Sequence, residues 1–216
     1  MIYYLPGCTT AALHPEAAAR LKAYIMRNGM PEAPCCKEDV SILQEGDSVI
    51  TCCTNCDLMF AERTPYIKVI SVYEYLLGDP DFPWPDLGGA EMTLQDCWRE
   101  RDNRVIQDAV RECLKRMSVS VMELPDNREK SSYCGVWLNN PIIPANLKYA
   151  PKTFGEIRDK YLELLSPDEQ KAKMEAYAKN WPTQEVVIYC NGCERGVRLT
   201  DKTPRHMVEL LASGLV

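Results

Sequence analysis

Eleven cysteines stand in this 216-residue chain, and nine of them fall into two sets written in the same order. Cys8, the adjacent pair Cys35-Cys36, and Cys53-Thr-Asn-Cys56 form the first set. Cys97, Tyr133-Cys134-Gly135 and Cys190-Asn-Gly-Cys193 form the second. Thiolates are soft donors that select iron–sulfur clusters, zinc or copper, and a C-x-x-C turn can present two sulfurs to one metal. The first set offers five ligands, Cys8, Cys35, Cys36, Cys53 and Cys56, one more than a cubane cluster or tetrahedral zinc takes. Neighbouring side chains such as Cys35 and Cys36 diverge, which suits several irons better than a single ion. The second set offers four, Cys97, Cys134, Cys190 and Cys193, enough for a cubane, a modified cluster or zinc. Buried small hydrophobes are the bland alternative, and the paired spacing argues against it. Structural zinc in one or both halves is the stronger rival.

The elements that must position these thiols repeat as well. Val49-Ile-Thr-Cys-Cys-Thr-Asn-Cys56 aligns with Val186-Val-Ile-Tyr-Cys-Asn-Gly-Cys193, and Val72–Leu77 loosely with Met207–Ala212. Such internal repetition suggests duplication and a pseudo-twofold arrangement. Each half reads as strand, cysteine, helix, then strand, C-x-x-C, short helix. Ile2 to Leu5 is a short apolar strand running into Gly7-Cys8, and Met92 to Leu94 leads to Cys97. Pro15 suits a first helical turn that Asn28-Gly29 closes, with Ala17, Leu21, Tyr24 and Ile25 on one face. Ile106, Ala109, Val110, Cys113, Leu114 and Met117 make a second apolar stripe, and Val119 and Val121 alternate in a strand after it. Strands alternating with helices predict an α/β fold: two Rossmann-like halves with mainly parallel sheets, the thiols at strand C-terminal ends. Residues 1–80 form the first half and 90–216 the second, joined by the Pro- and Gly-rich segment 79–89. The second half carries an extra helical insertion over about 137–181, with the Pro-rich loop 139–144 before it. Thr153-x-x-Glu156 and Ser166-x-x-Glu169 are capping-box patterns that signal two helices there. The insertion reads as a lid or partner surface on one side of a site, or equally as a packing layer.

Composition narrows the function. A formal charge of −6 with no basic block argues against nucleic acid as a partner. No apolar run reaches transmembrane length, and the N-terminus has no basic flank or long apolar core, so it reads as a strand and not a signal peptide. A reducing cytoplasm is the expected setting, where C-x-x-C spacing favours metal or redox function over disulfides. No Gly-x-Gly-x-x-Gly or P-loop occurs, which argues against a self-contained nucleotide enzyme. Cys113 reads as core and Cys52 as packing. His14 and His206 read as helix starts, with a ligand or proton-transfer role as the alternative. Arg99, Arg101 and Arg104 follow Cys97 and could offset the charge of a cluster or hold an anion. Tyr133 could hydrogen-bond a sulfur or fill space.

Taken together, Tyr4-Leu-Pro-Gly-Cys8-Thr-Thr, Cys35-Cys36, Cys53-x-x-Cys56, Asp96-Cys97, Arg128-Glu-Lys-Ser-Ser-Tyr-Cys-Gly135, Cys190-x-x-Cys193 and His206-Met-Val-Glu-Leu-Leu211 resemble the cysteine-rich CCG domain. That domain is typically found twice per chain, as in one of the subunits of heterodisulfide reductase and in iron–sulfur subunits of glycolate, lactate and glycerol-3-phosphate oxidising systems. The resemblance spans nearly the whole chain. It implies a noncubane 4Fe-4S cluster held by five cysteines, in anaerobic redox chemistry with thiols and disulfides. Flavin or iron–sulfur subunits are the implied partners and a small thiol or disulfide the implied substrate. Carried over by position, the ligands are Cys8, Cys35, Cys36, Cys53 and Cys56 at one site, and Cys97, Cys134, Cys190 and Cys193 at the other. At least one site would hold the noncubane cluster, the first half being favoured, with zinc an option in the other. The departures are Lys37 in place of the first CCG glycine, a short gap from Cys36 to Cys53, Tyr133 in place of the second CCG's first cysteine, and Gln95-Asp96-Cys97 where His-Asp-Pro-Cys is usual.

Overall fold

Strand β1 (Ile2–Leu5) buries Tyr3, Tyr4 and Leu5, the near-continuous apolar content of a strand covered on both faces. In this computed structural model, which describes residues 1–215, α1 (Cys8–Leu13) and α2 (Pro15–Ile25) carry the chain to β2 (Ser48–Thr51). Helix α3 (Thr54–Arg63) then leads to β3 (Lys68–Ser71), and α4 (Val72–Leu77) follows. All pairings are parallel, in the order β1-β2-β3, because helical crossovers return each strand in the same direction. Pro15 opens α2 as predicted, and Gly29 at φ 80° ends the 3-10 turn that closes it. Ala18, Leu21 and Ile25 are its buried face; Ala17 and Tyr24 are only partly covered.

The second half repeats the plan. It comprises β4 (Glu91–Leu94), α5 (Arg104–Arg116), β5 (Ser120–Glu123), β6 (Glu185–Ile188), α9 (Asn191–Val197), β7 (Thr203–His206) and α10 (Met207–Ala212). Its parallel sheet runs β5-β4-β6-β7. Strands β4, β6 and β7 thus stand where β1, β2 and β3 stand. The first half keeps one residue of the fourth strand: Glu32 makes an isolated parallel bridge to Tyr4. The chain is an α/β protein with two parallel, Rossmann-like sheets, as expected.

The halves pack reciprocally. Helix α2 lies on α10, and α5 lies on α4, which is the same contact made twice, as a twofold axis requires. One core spans both, with Tyr4, Leu21, Ile50 and Tyr73 beside Met92, Leu94, Val110 and Tyr189. Each large apolar side chain buried there stabilises the fold by about 1.5–3 kcal/mol before entropy is charged against it. Segment 79–89 holds no helix or strand. It is nonetheless anchored, since Phe82 is buried edge-on to Tyr24.

The insertion holds three helices, not two: α6 (Pro144–Tyr149), α7 (Pro151–Tyr161) and α8 (Pro167–Ala178). The Ser166–Glu169 capping box forms. The Thr153–Glu156 box does not, because α7 starts at Pro151 and the Thr153 N–H donates to Glu62 instead, at 2.7 Å. Glu62 belongs to α3, so a first-half carboxylate fills the positive N-terminus of an insertion helix. Ala150, Phe154 and Ile157 share a core with Cys36, Cys53, Cys56, Met59 and Phe60. The insertion therefore packs against Cys36, Cys53 and Cys56 of the first thiol set.

Candidate metal centres

Both C-x-x-C turns start helices. Cys53 and Cys190 occupy the N-cap positions of α3 and α9, with extended backbones, so their sulfurs meet unpaired N–H groups at a positive helix end. In the second half, the sulfurs of Cys97, Cys190 and Cys193 lie within 4.8 Å of one another, all buried, and form a group that could hold a metal ion. Hydrogen bonds from Cys193 and Cys97 hold the Cys190 thiol well below its ordinary pKa despite burial, and the Arg99 charge adds to this. Arg99 donates to Cys190 Sγ at 2.7 Å and stacks its guanidinium 4.6 Å from the Trp137 ring centre.

Hydrogen bonds around Asp96 and one glycine–glycine approach close this site. Asp96 accepts from Arg111 at 2.7 Å and from the Arg128 N–H at 2.8 Å, and Tyr189 donates to it at 3.0 Å. The Cys97 N–H in turn donates to the Tyr189 hydroxyl at 3.1 Å, so Asp96 fixes the Cys97 loop. Gly135 has φ 57°, and a Cβ there would strike the Gly192 carbonyl and stand 2.9 Å from Cys193 Cα. That close approach brings the Cys134 loop onto the C-x-x-C turn. Cys134 is buried, which pushes its thiol up to about 12 while Arg99 opposes the rise. Tyr133 does not bond a sulfur: its hydroxyl donates to the Cys193 carbonyl at 3.2 Å, within an aromatic group of Tyr177 and Trp181.

The first set is looser. The Cys56 thiol hydrogen-bonds both Cys36 and Cys53. That bond holds Cys53 at about 6 against the cost of burial, with backbone N–H groups and Arg99 assisting, and it lowers Cys36 as well. Cys36, Cys53 and Cys56 are buried, but Cys8 is exposed and Cys35 only half-buried. Cys8 and Cys35 line a separate groove of about 390 Å³ with Glu32 and Glu38. Among the described residues no three first-half thiols come as close as the second-half trio. Gly7, at φ 76°, lets the Cys8 turn approach Cys53, where a Cβ would stand 2.9 Å from Cys53 Cβ. Arg63 donates to the Cys36 carbonyl and, at 2.7 Å, to that of Glu38, and so holds the Cys35-Cys36 loop to α3.

The two sets meet. A cavity of about 70 Å³ is lined by Cys53, Thr54 and Asn55 from the first half and Asn191 and Gly192 from the second, with Lys37, Arg99 and Arg195 around it. Two carboxyls lie close to Cys53 and Arg99. Burial, then the neighbouring Glu100 charge, pushes Asp57 up, and burial takes Glu100 to about 7. Cys52 donates to the Pro6 carbonyl at 2.8 Å and Cys113 lies in the core, so both are structural, as expected. Arg101 and Arg104 stay outside, Arg101 over Trp98 and Arg104 on Asp108.

A second group that could hold a metal ion lies away from the cysteines: His14, Glu194 and His206. Sequence reading reached the two histidines separately and missed Glu194, because only the packing of the halves joins them. His206 accepts from the Val208 N–H as a cap, whereas His14 makes no side-chain capping bond. No family model, curated protein or solved structure matches this chain. Among the described residues no helix is long and apolar enough to cross a membrane.

Proposed function

We propose that this chain is an iron–sulfur redox protein that holds a noncubane 4Fe-4S cluster in its first half. It would transfer electrons to a small disulfide or from a small thiol. One observation carries the reading: the C-x-x-C turns of both halves open onto one cation-lined cavity. Cys36, Cys53 and Cys56 would hold the first cluster, with Cys8 and Cys35 completing the five thiolates. Cys97, Cys190, Cys193 and Cys134 would hold a second metal centre. The donor chemistry fits, since thiolates are the ligands such clusters take, and Cys53 and Cys190 are already biased towards the thiolate.

A bound cluster supplies one-electron steps next to the cavity. The residues around it have separate tasks. Lys37, Arg99 and Arg195 offset the negative charge of thiolates and draw an anionic ligand in. Arg99 orients Cys190 by its hydrogen bond. Trp137 and Ile143 line the apolar wall. Reducing a disulfide consumes two electrons and two protons and releases two thiols. The electrons come from a flavin or iron–sulfur partner, and the protons from water at the cavity mouth.

Anaerobic purification followed by iron, sulfide and zinc analysis tests this. The expected result is iron with acid-labile sulfide, and a spectrum that changes when a small thiol or disulfide is added. A reducible cluster that ignores thiols and turns over no disulfide makes the chain an electron relay between partners. A second reading rests on the compact Cys97–Cys190–Cys193 trio, which also suits structural zinc. Zinc confined to that half leaves the first-half assignment standing.

A further inference from the structure

The geometry points to a second kind of metal site in this protein, in which His14, Glu194 and His206 bind a divalent ion of the zinc type. His14 comes from the first half and Glu194 and His206 from the second, all are buried, and their ligand atoms lie within 4.8 Å of one another. His14 Nε2 is 2.7 Å from Glu194 Oε2, and the two imidazoles stack with centres 4.5 Å apart. His206 is fully buried and its Nε2 has no hydrogen-bond partner. An unpaired polar atom in that position is costly unless something binds it. Two imidazoles and a carboxylate are an ordinary donor set for zinc with one position left open.

The pseudo-twofold supplies an internal comparison. His14, at the N-cap of α2, corresponds to Asn103 at the N-cap of α5. His206, ending β7, corresponds to Ser71, ending β3. Glu194, following Cys193, corresponds to Asp57, following Cys56. At the mate position Asn103 and Ser71 cap their helices through side-chain bonds, and Ser71 forms a full capping box with Glu74. The same fold contact is therefore satisfied by ordinary capping residues in one place. In the other it carries two histidines, only one of which caps.

The surroundings match what ligating histidines need. Glu209, the counterpart of Glu74, is turned away from capping, and its Oε1 lies 3.0 Å from His14 Nδ1, within ion-pair reach but outside hydrogen-bond geometry. A carboxylate on the far nitrogen is the usual support of a metal-bound imidazole. Glu194 keeps its other oxygen on Arg198, with Nε at 2.9 Å. A cavity of about 410 Å³ reaches His14 and Glu209 from the surface, a route for the ion and a water ligand. Loading displaces the proton between His14 and Glu194. It also places the His206 proton on Nδ1, so the long 3.3 Å bond from Val208 is given up.

The test copies the mate position into this one. The full chain and its H14N/H206S variant, both folded by circular dichroism, are loaded with Zn²⁺, desalted, and analysed for zinc, iron and sulfide. The expected result is one fewer zinc per chain in the variant, with iron and sulfide unchanged. The zinc X-ray absorption of the wild type should also carry imidazole scattering that the variant loses. Should the double variant fail to fold, the single variant H14N is measured in its place. Equal zinc in both proteins, or a wild-type zinc spectrum with sulfur ligands alone, overturns the site. Neither result bears on what the cysteines hold, which the iron and sulfide counts report separately.

Discussion

The second half sets Gly135 against Gly192, whereas the first carries Lys37 and Asn55 at the matching positions. Two backbones that meet without side chains draw Cys134 onto the C-x-x-C turn and leave its thiol buried. The counterpart of Cys134 in the first half, Cys36, is buried as well, but Cys35 is half-buried and Cys8 exposed. The same duplicated scaffold thus yields one closed thiol set and one open one. The difference lies at Cys8 and Cys35, which stand in a groove of their own, and not in how many cysteines are present. An open set can accept a larger cluster or a ligand; a closed set favours a fixed metal.

The largest effect should come from Gly135→Ala. It forces a residue at positive φ into the Gly192 carbonyl, and we expect a loss on the order of 3–5 kcal/mol by chemical denaturation. Metal should leave the second half only. A near-neutral result would mean the close approach is not what closes the site. Next comes the acid arm of metal-free stability. Burial, then His14, pushes His206 down to about 4, with Glu194, Cys190 and Arg198 as the other charges facing it. Its neutral form stabilises the fold above its ordinary pKa of about 6.5, and that stability is lost as pH falls from there through about 4. His206→Ser should remove on the order of 3 kcal/mol of this pH dependence in urea melts at stepped pH. An unchanged acid arm would show that other groups set it. Replacing Arg99 by Met removes a charge-assisted bond to Cys190 and should cost about 2 kcal/mol. It should also raise the pH at which Cys190 becomes reactive to alkylation in the apoprotein, while Cys8 labels as before. Equal shifts at both cysteines would contradict a local role. The smallest change should be Lys37→Gly, below about 1 kcal/mol, because the first half has no backbone contact waiting for a glycine.

Much of the scaffold is legible in the residues themselves. The apolar runs before Cys8, Cys53, Cys97 and Cys190 are strands, and the repeated Val72–Leu77 and Met207–Ala212 are helices of equal length. Local signals fail where a partner from afar takes over. Thr153 looks like a cap until Glu62 occupies its N–H, and α6 is too short to announce itself by periodicity. The fourth strand of the first half survives as one bridge at Glu32, too little for any pattern. Spacing identified the nine thiols but not their convergence, which depends on glycine contacts. The His14–Glu194–His206 group depends on the packing of α2 against α10, a contact that no local pattern encodes.

The most direct test compares Cys53→Ser with Cys190→Ser after anaerobic cluster reconstitution, reading iron and acid-labile sulfide per chain together with the Mössbauer spectrum. The account predicts that wild type holds iron and sulfide. Cys53→Ser should lose the noncubane signature and keep the second-half metal, and Cys190→Ser should do the reverse. Stoichiometric zinc with no acid-labile sulfide in the reconstituted wild type would contradict it.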